Sequence, residues 1–222
     1  MLSLPVFLAI IFLLPETYIA YLLVQKQRKA GINPPKESLK QKYATSLARP
    51  WIMLSTEPIL FTLSLYSSFL WGILYLDFSA FPFVFGEIRH WTPSQVGCSF
   101  LGIGLGLILS VVCSPLINKI HTRYVIKLGG FRPEARLPHL IVLAWFIPVT
   151  MFWFGWSANP PTHWLVSISA GVPFGFSFLP LFLGTNAYLT DCYGRYSASA
   201  LAAFSLMRNS FSAGFPLFAK IM

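Results

Sequence analysis

The feature that most constrains this chain is a set of six apolar runs, roughly residues 2–24, 58–84, 97–118, 137–156, 163–189 and 199–219, parted by short polar segments. Each run is near the ~20 residues that an α-helix needs to cross the hydrocarbon core of a bilayer. Transmembrane strands alternate in polarity over about 10 residues, and these runs do not. Only 10% of the residues are charged and 55% are hydrophobic, where a soluble domain carries about 25% charge. The expected fold class is therefore an all-α integral membrane protein of about six transmembrane helices. Pro and Gly interrupt the runs (Pro82, Gly102, Gly104, Gly106, Pro148, Pro173, Gly175, Pro180, Pro216). Neighbouring helices in a bundle can satisfy the backbone groups that such residues free.

The formal net charge is +9, but the basic residues sit in loops between apolar runs. That is the pattern of membrane topology, and no nucleic-acid partner is expected. Residues 26–49 hold seven basic residues against Glu37, and residues 119–136 hold five against Glu134. The segments 85–96, 157–162 and 190–198 are formally neutral. Positive-inside reasoning places 25–57, 119–136 and 190–198 in the cytoplasm and the first residue on the outer side. In the first run the basic cluster begins at Lys26, after the apolar stretch. A secretory signal carries its charge before it, so the run reads as a membrane span. The polar stretch 30–50 reads as a linker with a short amphipathic piece.

Cys98, Cys113 and Cys192 are far apart, with no CxxC or Cys/His spacing. Neither a metal site nor a disulfide framework is indicated. His90, His121, His139 and His163 fall at or near span ends and form no catalytic constellation with Ser or Asp. No catalytic residue, enzyme activity, metal or cofactor is expected. The Gly-rich "GIGLG" at 102–106 lacks a preceding strand and lies inside a span, so it fails the context test for a nucleotide loop.

Several motifs converge on one family: "PETY" closing the first span, "LARPWIMLSTEPI" and "LYLDFSAFPFVFGEIRHWTPSQVG" bracketing the second, then "FLGIGLGLIL", "GGFRPEARLP", "FWFGWSANPPTHW", "AGVPFGF" and "YLTDCYGRYSASALAAFSLMRNSFSAGFPLFA". In this order and spacing the chain resembles the fungal branch of the major facilitator superfamily, specifically its twelve-span drug:proton antiporters, which include polyamine and multidrug exporters. The resemblance covers essentially the whole chain and runs from that family's sixth span to its eleventh. It implies a partial major facilitator fold. Residues 1–25 would be the last helix of the first lobe, 26–57 a basic cytoplasmic linker, and 58–222 five spans of the second lobe. The chain then reads as a truncated form, and the coupling motifs of the family's first half have no counterpart in it.

Ionisable groups within spans are costly and so are functional candidates. Glu16 lies near the linker end of the first span, either as a gate residue at the lobe interface or as an ordinary interfacial residue. Asp77 lies about 27 Å along its helix from Ile59, either drawing a cation or proton into an outer vestibule or simply solvated at the membrane edge. The resemblance puts the family's acidic residue two positions later, at Ser79. Arg208 lies about 13 Å into the last span, a depth roughly 14 Å from that of Asp77. It is expected to face a cavity or the bundle interior, or to pair with backbone carbonyls. Asn186, Tyr188, Thr185, Thr190, Asn209 and Ser212 give neighbouring polar positions that bond across helices or line a cavity. Tyr66, Phe69, Trp71 and Tyr75 offer ring faces to an amphipathic cation or serve as packing. Gly102/Gly106 and Gly171/Gly175 are GxxxG pairs that permit close helix approach. Arg132, Glu134 and Arg136 alternate in sign before Pro138, as a charge latch on the inner gate or as a basic loop. The leading expectation is a secondary transporter in the lipid bilayer, moving small cationic or amphipathic molecules in exchange for protons, in the plasma membrane. The alternative is a non-transporting membrane protein that associates with other transmembrane helices.

Overall fold

The computed structural model describes residues 25, 26, 29, 39–127, 129, 130 and 132–219. The first apolar run, with Glu16, lies outside the described residues. The chain divides into two compact units, Met1–Thr45 and Ser46–Met222, and the second holds most of the described residues.

Among the described residues every regular element is helical. Helix α1 (Leu39–Thr56) occupies much of the expected linker and accommodates Pro50 internally. It is longer than the short amphipathic piece read from the sequence. Helix α2 (Pro58–Phe81) starts on a proline, whose fixed φ suits a first helical turn. It runs on through a π-helical segment, Pro82–Ile88. Pro82 has no N–H to give, and the ladder beyond it resumes with a wider step, Arg89 N–H donating to Val84 O at 3.1 Å.

A short helix α3 (Pro93–Ser99) opens with the Gln95 side chain accepting from the Thr92 N–H at 3.0 Å. It leads into α4 (Leu101–Lys127). Gly129 and Gly130 then take positive φ and turn the chain. A 3₁₀ turn, Pro133–Arg136, precedes α5 (Leu137–Ala144) and α6 (Phe146–Ser157). Helix α7 (Trp164–Tyr193) ends at Gly194, φ 43°, and a second 3₁₀ turn leads into α8 (Ser197–Ala219).

Four stretches are long and apolar enough to cross a membrane: Pro58–Ile88, Pro93–Ile126, Pro133–Ser157 and Trp164–Leu217. The last, of 54 residues, is folded back at Gly194 into two helices. The described part thus holds five helical stretches at the five runs read from the sequence after residue 57.

Two cores hold the bundle. One joins Leu70, Phe81, Val84 and Phe85 of α2 to Ile103 of α4, Leu140, Leu143 and Ile147 of α5–α6, and Phe174, Phe178 and Leu181 of α7. Phe81 stacks on Phe154 with centroids 4.8 Å apart and planes 6° from parallel. The other, toward the end bearing the basic loops, joins Leu60, Leu189, Ala200, Ala203 and Phe204. Several buried hydroxyls are satisfied within their own helices. Ser68 donates to Ser64 O at 2.6 Å and Thr185 to Leu181 O at 2.7 Å.

Candidate functional site

Arg208 stands in the middle of α8, and the two faces it meets come from other helices. Its guanidinium carbon lies 4.6 Å from the Trp71 ring centre and 5.2 Å from that of Phe182. Trp71 and Phe182 meet edge-on at 5.2 Å, and Trp71 also contacts Tyr75 at 6.3 Å. Arg208 is half-buried. The alternative in which it pairs with backbone carbonyls at helix breaks finds no such bond among the described residues. Aromatic faces attract a desolvated guanidinium through their quadrupoles, and its one side-chain hydrogen bond among the described residues is a long contact from Nε to Asn209 Oδ1 at 3.4 Å. No acidic side chain pairs with it among the described residues.

Asp77 is 4% exposed, so the solvated reading of this residue gives way. It falls on the stripe of α2 that also carries Leu70 and Phe81, both in the apolar core. No hydrogen bond or ion pair joins it to Arg208. Asn186 turns inward on its own helix, donating to Phe182 O at 2.7 Å. Asn209 is exposed. Of the sequence-derived cavity candidates, Trp71, Tyr75 and Arg208 thus form one cluster with Phe182. Phe182 was missed, since a single Phe in an apolar run carries no signal of its own.

The four glycines of the two GxxxG pairs meet in one crossing between α4 and α7. A Cβ on Gly106 would land on Val172 O and lie 2.8 Å from Phe176 N and 3.0 Å from the Gly175 Cα. One on Gly171 would lie 3.0 Å from Ile103 N. One on Gly102 would land on Ile168 O, and one on Gly175 on Ile103 O. The two backbones touch directly, which only residues without side chains permit.

At the basic end, Arg136 Nε donates to Asp191 Oδ2 at 2.9 Å. This is the one ion pair among the described residues, and it ties the 119–136 loop to the end of α7. Of Arg132, Glu134 and Arg136, the residues of the expected latch, only Arg136 is paired among the described residues. Arg132 and Glu134 are exposed, with no ion pair among the described residues, and the acid that Arg136 meets is 55 residues away. His121 and His139 come together beside it, ring centres 6.4 Å apart. At the opposite end Arg89, a mere loop charge in the sequence, donates to Thr162 O at 2.9 Å, Ser157 O at 3.0 Å and Ser167 Oγ at 3.4 Å. It ties the last carbonyl of α6 and the loop after it to the start of α7.

These features define an all-helical, multi-pass integral membrane protein with a glycine-packed bundle and an intramembrane cation. Residues 2–216 match the model of the Major Facilitator Superfamily, and the chain belongs to that family. It is 42% identical over 221 residues to the major facilitator superfamily multidrug transporter mdrA of Aspergillus fumigatus, covering 94% of this chain and 36% of that protein. It is 41% identical over 222 residues to the MFS-type efflux pump MFS2 of Trichophyton rubrum, covering 94% of this chain and 37% of the relative. The efflux pump FUBT of Fusarium oxysporum is 35% identical over 222 residues, with the same two coverages. The chain thus spans little more than a third of the length of these relatives. No solved structure matches it.

Proposed function

We propose that this chain forms the second-lobe part of a transporter that exports small cationic or amphipathic molecules in exchange for protons. The observation that carries the reading is the Arg208 guanidinium held at mid-span between Trp71 and Phe182, with no acidic partner among the described residues. A half-buried charge within a span is costly, and such residues usually serve a substrate or ion path. The printed names of the relatives, a multidrug transporter and efflux pumps, support the same reading.

In this proposal Trp71, Tyr75, Asn186, Arg208 and Asn209 line one wall of the substrate path. Arg208 meets an acceptor group of the substrate and the ring faces hold its apolar body. Asp77 supplies the negative charge that attracts a cationic group or carries a proton. Glu16 and the Arg136–Asp191 pair act at the gate on the basic side, and the glycine crossing keeps α4 and α7 a single rigid unit as the lobes rock. The basic loops face the cytoplasm, and the membrane is the plasma membrane.

The test replaces the matching segment of the Aspergillus fumigatus relative with this chain, keeping that protein's own segments on both sides, and places the product in proton-loaded vesicles with a fluorescent cationic amphiphile. Gradient-dependent movement is expected. It should fall at least tenfold in Arg208→Gln and Asp77→Asn. A folded, inserted chimera that moves no dye, or one in which both substitutions are silent, defeats the proposal.

A further inference from the structure

Below the glycine crossing α4 and α7 part. They touch backbone to backbone at Gly106 and Gly175. Eight residues further along each helix, Ser114 and Leu183 stand on opposite walls of a cavity of about 360 Å³. That lies within the range of ordinary ligand pockets, about 300–1,000 Å³. The third wall is the 3₁₀ turn and the start of α5, with Arg136 and His139.

Toward the glycine crossing the lining is mainly apolar, with Val111, Leu179 and Leu183 beside the hydroxyls of Ser110 and Ser114. Toward the basic end it is polar, with Asn118, Arg136 and His139. Val111 and Leu183 are 58% and 55% exposed, so the cavity opens sideways onto the outer surface of the bundle.

The polar end is short of partners. His139 Nδ1 and His121 Nε2 are buried without a hydrogen bond. Asp191 takes only the Nε proton of Arg136. The terminal nitrogens of that guanidinium bond to no described residue. Those guanidinium N–H groups can only donate, so a group rich in acceptor oxygens fits this end. Arg136 pairs with Asp191 there, His121 lies beside His139, and the loop just beyond adds Lys119, Arg123 and Arg132 against Glu134. The balance is positive.

We propose that this cavity binds a phospholipid from the leaflet that meets the basic loops. Its phosphate is held by Arg136, His139 and Asn118, and one acyl chain lies along Val111, Leu179 and Leu183. Arg presents paired donors to phosphate oxygens, and basic pockets between spans suit lipid headgroups. A free phosphate would use the polar end alone and leave the apolar half and its side opening without an occupant. This proposal stands whether or not the chain takes part in transport.

The test uses the full chain, purified in detergent and stripped of lipid, with melting followed as ligand is added. The probes are dioctanoyl phosphatidylglycerol, dioctanoylglycerol and inorganic phosphate. Saturating phosphatidylglycerol is expected to raise Tm by about 5 °C, the other two by little. Arg136→Gln and Leu183→Trp, the latter filling only the apolar half, should each weaken phosphatidylglycerol binding about tenfold. Asp191→Asn also breaks the ion pair but leaves the guanidinium, so it should bind the lipid at least as well as the parent chain. Equal stabilisation by inorganic phosphate, with Leu183→Trp silent, overturns the lipid in favour of a free anion. Equal stabilisation by dioctanoylglycerol overturns any phosphate role. Loss of binding in Asp191→Asn equal to that in Arg136→Gln reduces Arg136 to a structural part and overturns the assignment.

Discussion

Gly106→Ala is the sharpest probe of how the bundle is held. The added methyl would lie 2.8 Å from Phe176 N and 3.0 Å from the Gly175 Cα, besides landing on Val172 O. All three are backbone atoms, which cannot rotate away. Ordinary carbon contacts are about 3.5–4.0 Å, so α4 and α7 must separate by roughly 1 Å. A gap of 0.5–1 Å already forfeits about a quarter to a half of each dispersion contact along the crossing. Overpacking of this kind costs about 1–3 kcal/mol. Gly104→Ala, two residues away, is the matched control, because a Cβ there meets nothing within 4 Å. It should be neutral or slightly stabilising, since Ala is the better helix former by up to about 1 kcal/mol. The two variants differ by position alone, so composition and expression effects cancel. Unfolding in mixed micelles with rising SDS reads the difference. A gap of about 2 kcal/mol between the variants is expected, roughly a thirtyfold change in the ratio of folded to unfolded chains. Equal midpoints for Gly106→Ala and Gly104→Ala would refute the close crossing.

Arg89→Ala removes three hydrogen bonds from the neutral end and strands the Thr162 carbonyl, while Ser157 O keeps the Ser167 hydroxyl at 2.6 Å. It should cost about 2–3 kcal/mol in the same SDS titration, whereas Lys, without the fork, should recover only part of that. For the Arg136–Asp191 pair, with side chains 29% and 22% exposed, a double-mutant cycle with Arg136→Gln and Asp191→Asn should give a coupling of about 0.5–1 kcal/mol, and none in 1 M salt. Trp71→Leu should loosen Arg208 at a cost of about 1–2 kcal/mol. The cost should disappear when Arg208 is already Gln, a non-additivity that the same cycle measures.

The spans were legible because crossing a bilayer demands length and apolarity in one continuous stretch, and five of the six runs recur as helices within the described residues. The positions of the glycine pairs were legible for a similar reason. A four-residue spacing places small residues on one helix face, although it does not say that the two pairs meet each other. What escaped the sequence is what joins distant positions. Nothing near Arg136 points to Asp191, because "TDCYG" reads as a neutral turn until α7 brings it alongside. The Arg208 seat needs Trp71 from α2 and Phe182 from α7 at one depth. Counting residues along single helices gives that depth only to within a turn. Arg89 lies in a segment that is formally neutral in sequence, and its partners are two carbonyls and the Ser167 hydroxyl, which no sequence pattern marks.

The topology proposed for the bundle, crossing the bilayer with its basic end on the cytoplasmic side, is tested directly by two native cysteines. Cys98 is exposed on α3 at the neutral end, and Cys192 is exposed on α7 at the basic end. A membrane-impermeant maleimide applied to intact cells should label Cys98, and should reach Cys192 only after permeabilisation. Labelling of Cys192 in intact cells, or of both residues together, would contradict the topology and the arrangement of loops built on it.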